Sequence, residues 1–134
     1  MAQITNRPEL LAAAREARSR AYAPYSNFCV GSALLCEDGE IFTGANVENA
    51  SYGLSMCAER AALFAAVAKG HRSFIAMAIV GPDRVRISPC GACRQAIAEF
   101  GEGIAIVREE SDDVFLRDLL PDAFGAQTLE RAGL

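Results

Sequence analysis

The chain has 134 residues, enough to bury a core of its own without disulfide or metal staples, and it reads as one domain spanning residues 1–134. A net charge of −4 argues against a general polyanion-binding surface, and no apolar run approaches the roughly 20 residues of a membrane span, so neither nucleic acid nor membrane is an expected partner. The opening MAQITNRPELLAAAREARSRAY shows no apolar stretch with a cleavage site, and five cysteines are an odd number for a disulfide framework; a cytoplasmic protein with buried thiols or metal ligands is expected.

Asn6 before Arg7-Pro8 marks a helix start, with Asn6 as cap and proline in the first turn. Leu10, Leu11, Ala14, Ala17 and Ala21 recur at helical spacing, while Arg15, Glu16, Arg18 and Arg20 face outward. Ala23-Pro24 ends that helix. FCVGSALLCEDGEIFTGANV predicts a hairpin: an apolar strand, the turn Glu37-Asp38-Gly39, then a strand over Ile41 to Val47. SYGLSMCAERAALFAAVAKG predicts a buried helix that stops at Lys69-Gly70. FIAMAIVG has the continuous apolar character of a strand covered on both faces. CGACRQAIAEFG predicts a short helix, IAIV (Ile104 to Val107) another buried strand, and DDVFLRDLLPDAFG a short strand or turn followed by a helical turn stopped by Pro121. A hairpin followed by alternating helices and strands implies an α/β protein, with a mixed sheet and helices on both faces.

The buried helix opens with Cys57, Glu59 and Arg60, where unpaired charge is costly to desolvate. Downstream, Cys90-Gly91-Ala92-Cys93 forms a C-x-x-C pair behind Pro89. By itself that pair is compatible with two buried thiols or with a thioredoxin-like redox pair. Redox chemistry has no use for Cys57, whereas three cysteines at two helix starts suit zinc, with the C-x-x-C supplying two ligands and a distant cysteine the third. Cys29 and Cys36 lie an odd number of residues apart in a strand and point to opposite faces, and His71 follows a helix-terminating glycine, where a solvated loop residue is expected. None is a convincing fourth ligand, so an open, catalytic position holding water is favoured.

Cys57 and Glu59 cannot face one metal from inside a regular helix, because residues two apart point to nearly opposite sides. They can converge if Cys57 is the N-cap, where thiolate and carboxylate are both favoured by unpaired amides. Glu59 is then placed to accept a proton from metal-bound water; the bland alternative is a carboxylate that merely complements the helix dipole. Arg60 can donate to the thiolate sulfurs and temper their charge, or lie exposed at the surface.

Beyond the metal motif, the blocks YAPYSNFCVGSALL, GANVENASYGLSMCAER, SPCGACRQ and LLPDAFG resemble the small, homotetrameric, zinc-dependent cytidine deaminases over about Tyr22 to Gly125. The C-A-E and P-C-G-A-C pattern is the signature of zinc deaminases. That resemblance implies a three-layer α/β/α fold around a roughly five-stranded mixed sheet. It implies one zinc ion per subunit on Cys57, Cys90 and Cys93, Glu59 as proton shuttle, and Arg60 hydrogen-bonded to the thiolates. It further implies Phe28 against the pyrimidine ring, Asn46 and Glu48 on the ribose 3′-hydroxyl, the Ala58 amide on the base carbonyl and the Ser88 carbonyl near the exocyclic amine. Ala50, Tyr52 and Phe124 match residues that reach a neighbouring subunit's pocket, so active sites shared within a homotetramer are expected. Cys29, where proline is frequent, and Ala126, which replaces a proline often found after Phe-Gly, depart from the family pattern without touching metal chemistry.

The activity so implied is hydrolytic deamination of the nucleosides cytidine and 2′-deoxycytidine, in pyrimidine salvage. Three rivals stay open on sequence: a relative acting on another aminopyrimidine, a nucleic-acid editing enzyme, which calls for a basic surface, and a non-enzymatic zinc domain closed by Cys29 or Cys36.

Overall fold

The computed structural model describes residues 6–134. Its chain order is α1 (Arg7–Arg18), β1 (Gly31–Cys36), β2 (Ile41–Ala45), a single 3-10 turn (Tyr52–Leu54), α2 (Ala58–Ala68), β3 (Phe74–Val80), α3 (Gly91–Ala98), β4 (Ala105–Arg108), β5 (Val114–Phe115), α4 (Leu116–Leu119) and α5 (Ala126–Arg131). The five strands form one sheet in the order β2-β1-β3-β4-β5. Pairing is antiparallel except between β3 and β4, which run parallel.

Strand alternation divides the sheet's side chains between two helical layers. Ala33, Leu35, Ala76, Ala78, Val80 and Val107 face α1, which inserts Leu10, Leu11 and Ala14. Leu34, Cys36, Met77, Ile79 and Ile106 face the opposite layer, where α2 contributes Ala62, Leu63 and Ala66, α3 contributes Ile97 and α4 contributes Leu116. The mixed sheet with helices on both faces, expected from the order of elements, is thus the observed one.

Helix-to-sheet contact is close at two glycines. A Cβ on Gly31 would meet the Ala14 carbonyl oxygen at 2.0 Å, and one on Gly44 would meet the Ala62 amide nitrogen at 2.5 Å and the Ala58 carbonyl oxygen at 2.6 Å. Gly44 therefore sets how closely α2, the helix bearing Cys57 at its cap, lies on β2.

Four local expectations need correcting. Asn6 begins α1, but its side chain makes no capping hydrogen bond; its carbonyl accepts from the Leu10 amide instead. The second hairpin strand ends at Ala45, and Val47 makes only isolated bridges to Tyr22 and Met56. Helix α2 is not buried all round, since Phe64 is 47% exposed. Of the residues expected to face outward, Arg15, Glu16 and Arg20 are exposed, Arg15 pairing with Glu109 and Arg20 with Glu16, but Arg18 is half-buried and donates to the Gly81 carbonyl. Helix α5, absent from the sequence reading, follows Gly125 and buries no side chain. Among the described residues no helix is long and apolar enough to cross a membrane.

Candidate active site

The carboxyl ends of β2 and β3 and the start of β1 lie at one end of the sheet, because Gly31 is paired with both Ala45 and Val80. Chain leaving β2 becomes α2, and chain leaving β3 becomes α3, so two helix N-termini open at that end. Cys57 caps α2 with extended dihedrals (φ −71°, ψ 151°), and Cys90 caps α3 in the same way (φ −67°, ψ 170°). This meets the condition set by the sequence: Cys57 stands outside the helix, free to turn towards the same point as Glu59. Cys93, in the first turn of α3, is buried.

The three sulfurs lie within 4.8 Å of one another, with Cys57 Sγ and Cys90 Sγ 3.7 Å apart. Zinc–sulfur bonds of about 2.3 Å in a tetrahedron place sulfurs about 3.8 Å apart. The donor set and its spacing therefore fit a zinc ion bound by three cysteines. Hydrogen bonding with Cys93 and then with Arg60 draws the Cys57 thiol down, while the hydrogen bond to Cys57 and burial push Cys93 up. A divalent cation replaces the retained thiol protons, since only thiolates ligate. Arg60 Nη2 lies 3.5 Å from Cys57 Sγ, and its buried Nε has no partner. The sulfurs of Cys57 and Cys93 in turn hold the guanidinium firmly protonated.

Glu59 is only 4% exposed. Burial pushes its carboxyl up to about 7, and the neighbouring Cys57 charge adds to the shift. It opens onto a cavity of about 220 Å³ whose walls come from three segments. Phe28, Val30 and Asn46 flank the hairpin; Cys57, Ala58 and Glu59 open α2; Ile87, Ser88 and Cys90 precede α3. A larger depression of about 520 Å³ lies elsewhere, but its Arg7, Arg15 and Arg84 face Asp83, Glu109 and Glu110, and the Arg15–Glu109 and Arg84–Glu110 pairs neutralise it.

The remaining sequence candidates divide. Asn46 is bound to the chain that carries Phe28: its Oδ1 accepts from the Val30 amide at 2.9 Å and its Nδ2 donates to the Phe28 carbonyl at 2.8 Å. Glu48 lies outside the cavity and holds the turn just before Phe28, accepting from the Tyr25 and Ser26 amides at 2.9 and 3.1 Å and from the Ser26 hydroxyl. The Ser26 hydroxyl, ahead of the backbone donors, keeps that carboxyl below its ordinary range. Ala50, Tyr52 and Phe124 are outside the cavity and exposed, Tyr52 by 75% and Phe124 by 60%. Tyr52 packs edge-on against Tyr25, and the Phe124 carbonyl is held by Gln95 at 2.8 Å.

Sequence reasoning missed several supports. Val30 and Ile87 line the cavity but look like ordinary core residues. Arg108, 5% exposed, donates to the Ser88 hydroxyl at 2.9 Å, and Arg94 donates to the Pro89 carbonyl at 2.8 Å and the Leu119 carbonyl at 2.7 Å. These two guanidiniums set the segment that presents Ser88 and Cys90; only the arginine after C-x-x-C could have been suspected from its place. Neither Cys29 nor Cys36 joins the three-cysteine cluster, and His71 is not a solvated loop residue but lies beside Cys36 and Asp38 at the other end of the sheet.

A mixed α/β sheet that brings three thiolate ligands and a buried glutamate together at two helix caps defines a zinc deaminase. The family model for the cytidine and deoxycytidylate deaminase zinc-binding region matches residues 4–108. Cytidine deaminase from Sporosarcina psychrophila is 46% identical over 129 residues, covering 92% of this chain and 95% of that one. The crystal structure of cytidine deaminase from Burkholderia pseudomallei superposes with a TM-score of 0.83 at 52% identity, covering 87% of this chain and 98% of that one. The enzyme from Mycobacterium tuberculosis superposes with a TM-score of 0.84 at 42% identity, covering 92% and 99%. The chain belongs to the cytidine deaminase family, and its cofactor is zinc.

Proposed function

We propose that the chain hydrolyses cytidine and 2′-deoxycytidine to uridine and 2′-deoxyuridine, releasing ammonia, with Glu59 as the proton-transfer residue. The observation that carries this reading is a buried carboxyl in the same small cavity as a three-cysteine cluster spaced for a zinc ion. Zinc on Cys57, Cys90 and Cys93 supplies the Lewis acidity that makes water a nucleophile near neutral pH. Glu59, buried and lining the cavity beside the cysteine cluster, is placed to take and return a proton, as an acid–base group must. It accepts the proton of the attacking water and delivers it to N3 of the base as the new bond forms at C4. It then moves the hydroxyl proton to the exocyclic amine, the C4–N bond breaks and ammonia leaves.

The rest of the cavity positions the base. Phe28 offers a ring face to the pyrimidine, the Ala58 amide in the first turn of α2 is free to donate to the base carbonyl, and the Ser88 carbonyl can accept from the amine. Asn46 retains an amide hydrogen, and Glu48 further lone pairs, for the ribose 3′-hydroxyl. A cavity of about 220 Å³ is small against ordinary ligand pockets of about 300 Å³ upward. Ala50, Tyr52 and Phe124, exposed on a single chain, support a homotetramer in which each copy completes a neighbour's pocket. That substrate class supports a role in pyrimidine salvage, and the location we propose for it is the cytoplasm.

Loss of cytidine absorbance is compared for wild type, Glu59→Gln and chelator-treated protein. Wild type is expected to turn over, chelation to abolish activity, and Glu59→Gln to keep its zinc while losing at least the roughly 10²–10⁴-fold that acid–base catalysis contributes. Normal turnover by Glu59→Gln removes Glu59 from the mechanism, and zinc-loaded wild type inert on every nucleoside overturns the enzymatic reading.

A further inference from the structure

We propose that Cys36, Asp38, Glu40 and His71 form a second site for a zinc-class divalent cation, at the end of the sheet opposite the three-cysteine cluster. The residues come from two segments. Cys36 ends β1, Asp38 and Glu40 lie in the turn before β2, and His71 follows the glycine that terminates α2. The Cys36 sulfur, a ring nitrogen of His71 and a carboxylate oxygen of Asp38 lie within 4.8 Å of one another. His71 Nε2 stands 3.1 Å from Asp38 Oδ2 and 3.3 Å from Glu40 Oε1. Nitrogen and oxygen donors around tetrahedral zinc, with bonds of about 2.0–2.1 Å, are spaced about 3.3 Å apart.

Cys36 is fully buried, and the His71 side chain is 18% exposed and packed edge-on against Phe42 at 5.0 Å. The second ring nitrogen, Nδ1, is buried without a partner. A bare ion pair between His71 and the two carboxylates accounts for Nε2 but not for the thiol held beside the ring. A thiol, an imidazole and two carboxylates are a borderline-soft donor set, unsuited to magnesium or calcium and suited to zinc or cobalt. Asp38 and Glu40, exposed by 61% and 54%, open the site to solvent. Burial, with Asp38 and Glu40 adding to it, pushes the Cys36 thiol up to about 11, so an incoming cation displaces one thiol proton to water as the metal–sulfur bond forms. The ion would tie the β1–β2 turn to the exit of α2, the helix whose other end carries Cys57.

The test is zinc content per chain in the folded, active-site-loaded protein after equilibration with excess zinc and gel filtration. Two ions per chain are expected for wild type and one for His71→Ala, Cys36→Ser and the surface double variant Asp38→Asn/Glu40→Gln, with cytidine turnover unchanged in all. Cobalt added to wild type carrying one zinc per chain, with the second site left free, is expected to give a thiolate-to-cobalt charge-transfer band that Cys36→Ser abolishes. If Cys36→Ser does not fold, the other two variants decide. One zinc per chain in wild type, or two retained in His71→Ala, overturns the proposal. Because it is read from stoichiometry, it stands or falls separately from the deaminase activity.

Discussion

Glu48 and Glu59 show how environment sets two carboxylates apart. Glu59 is buried, and that burial raises its carboxyl to about 7. Glu48 is solvated, accepts three hydrogen bonds from the Tyr25–Ser26 turn and is held below the usual carboxylate range. With its folded pKa depressed, Glu48's contribution is complete above its unfolded value and is lost only as pH falls through the lower folded value. The KM for cytidine is therefore expected to show no inflection from Glu48 above about pH 5, while Glu48→Gln raises KM roughly tenfold or more, the worth of a hydrogen bond to a charged group. A pH series of KM on both proteins checks this; an inflection between neutrality and that pH that vanishes in the variant contradicts it. The direction of Glu48's carboxylate could not be read from sequence. Its alternation with Asn46 suggests a shared face, but the residue that fixes it, Ser26, lies 22 positions earlier and meets it only after folding.

At the scale of elements, α2 is both core and chemistry, and Gly44 is where the two meet. A methyl group there would collide with α2 backbone at Ala58 and Ala62, atoms that can move only if the helix does. Gly44→Ala is expected to destabilise by about 3 kcal/mol, the upper end of overpacking effects, and to lower kcat in the molecules that remain folded. Gly31→Ala makes a still closer collision with α1, which carries none of the site; it is expected to reduce stability while leaving kcat per folded molecule unchanged. Urea unfolding paired with active-site-normalised kinetics separates the two, and equal loss of kcat in both variants contradicts the assignment. The strands and α1–α3 were legible because their apolar periodicity is strong. Helix α5 was not, because it buries nothing and leaves no stripe to read. The ligands were legible because zinc imposes cysteine spacing on a sequence, whereas Arg108 was not, because a buried arginine serving a serine hydroxyl 20 residues away has no sequence signature.

For the whole molecule, the distribution of exposed apolar surface matters more than its amount. Tyr22, Tyr25, Phe28, Val47, Tyr52 and Leu54 are all exposed on the segments before β1 and after β2, Phe124 is exposed on the C-terminal segment, and Phe64 projects from α2. Apolar patches of this kind mark interfaces. Sedimentation is expected to give a mass near four chains, and Phe124→Ala to raise KM more than it lowers kcat. A monomer with full activity contradicts shared sites. Family resemblance supplied this expectation; on a lone chain, composition shows only that small aliphatic residues are abundant.

Cys57 and Cys90 are cap residues, and that position separates ligand identity from helix integrity. The first ladder bonds of α2 and α3 use the carbonyls of these residues, donated to by Ala61 at 3.1 Å and Arg94 at 3.0 Å, and leave their side chains uncommitted. Exchange of a ligand therefore alters the metal's electronic environment without breaking a backbone bond. Cys57→His is expected to retain helix content by circular dichroism and one zinc at the original site, while Arg60 loses the nearer of its two sulfur partners and keeps Cys93. The coordination sphere of this protein is in that sense a replaceable fitting, and the scaffold beneath it can be retuned one donor at a time.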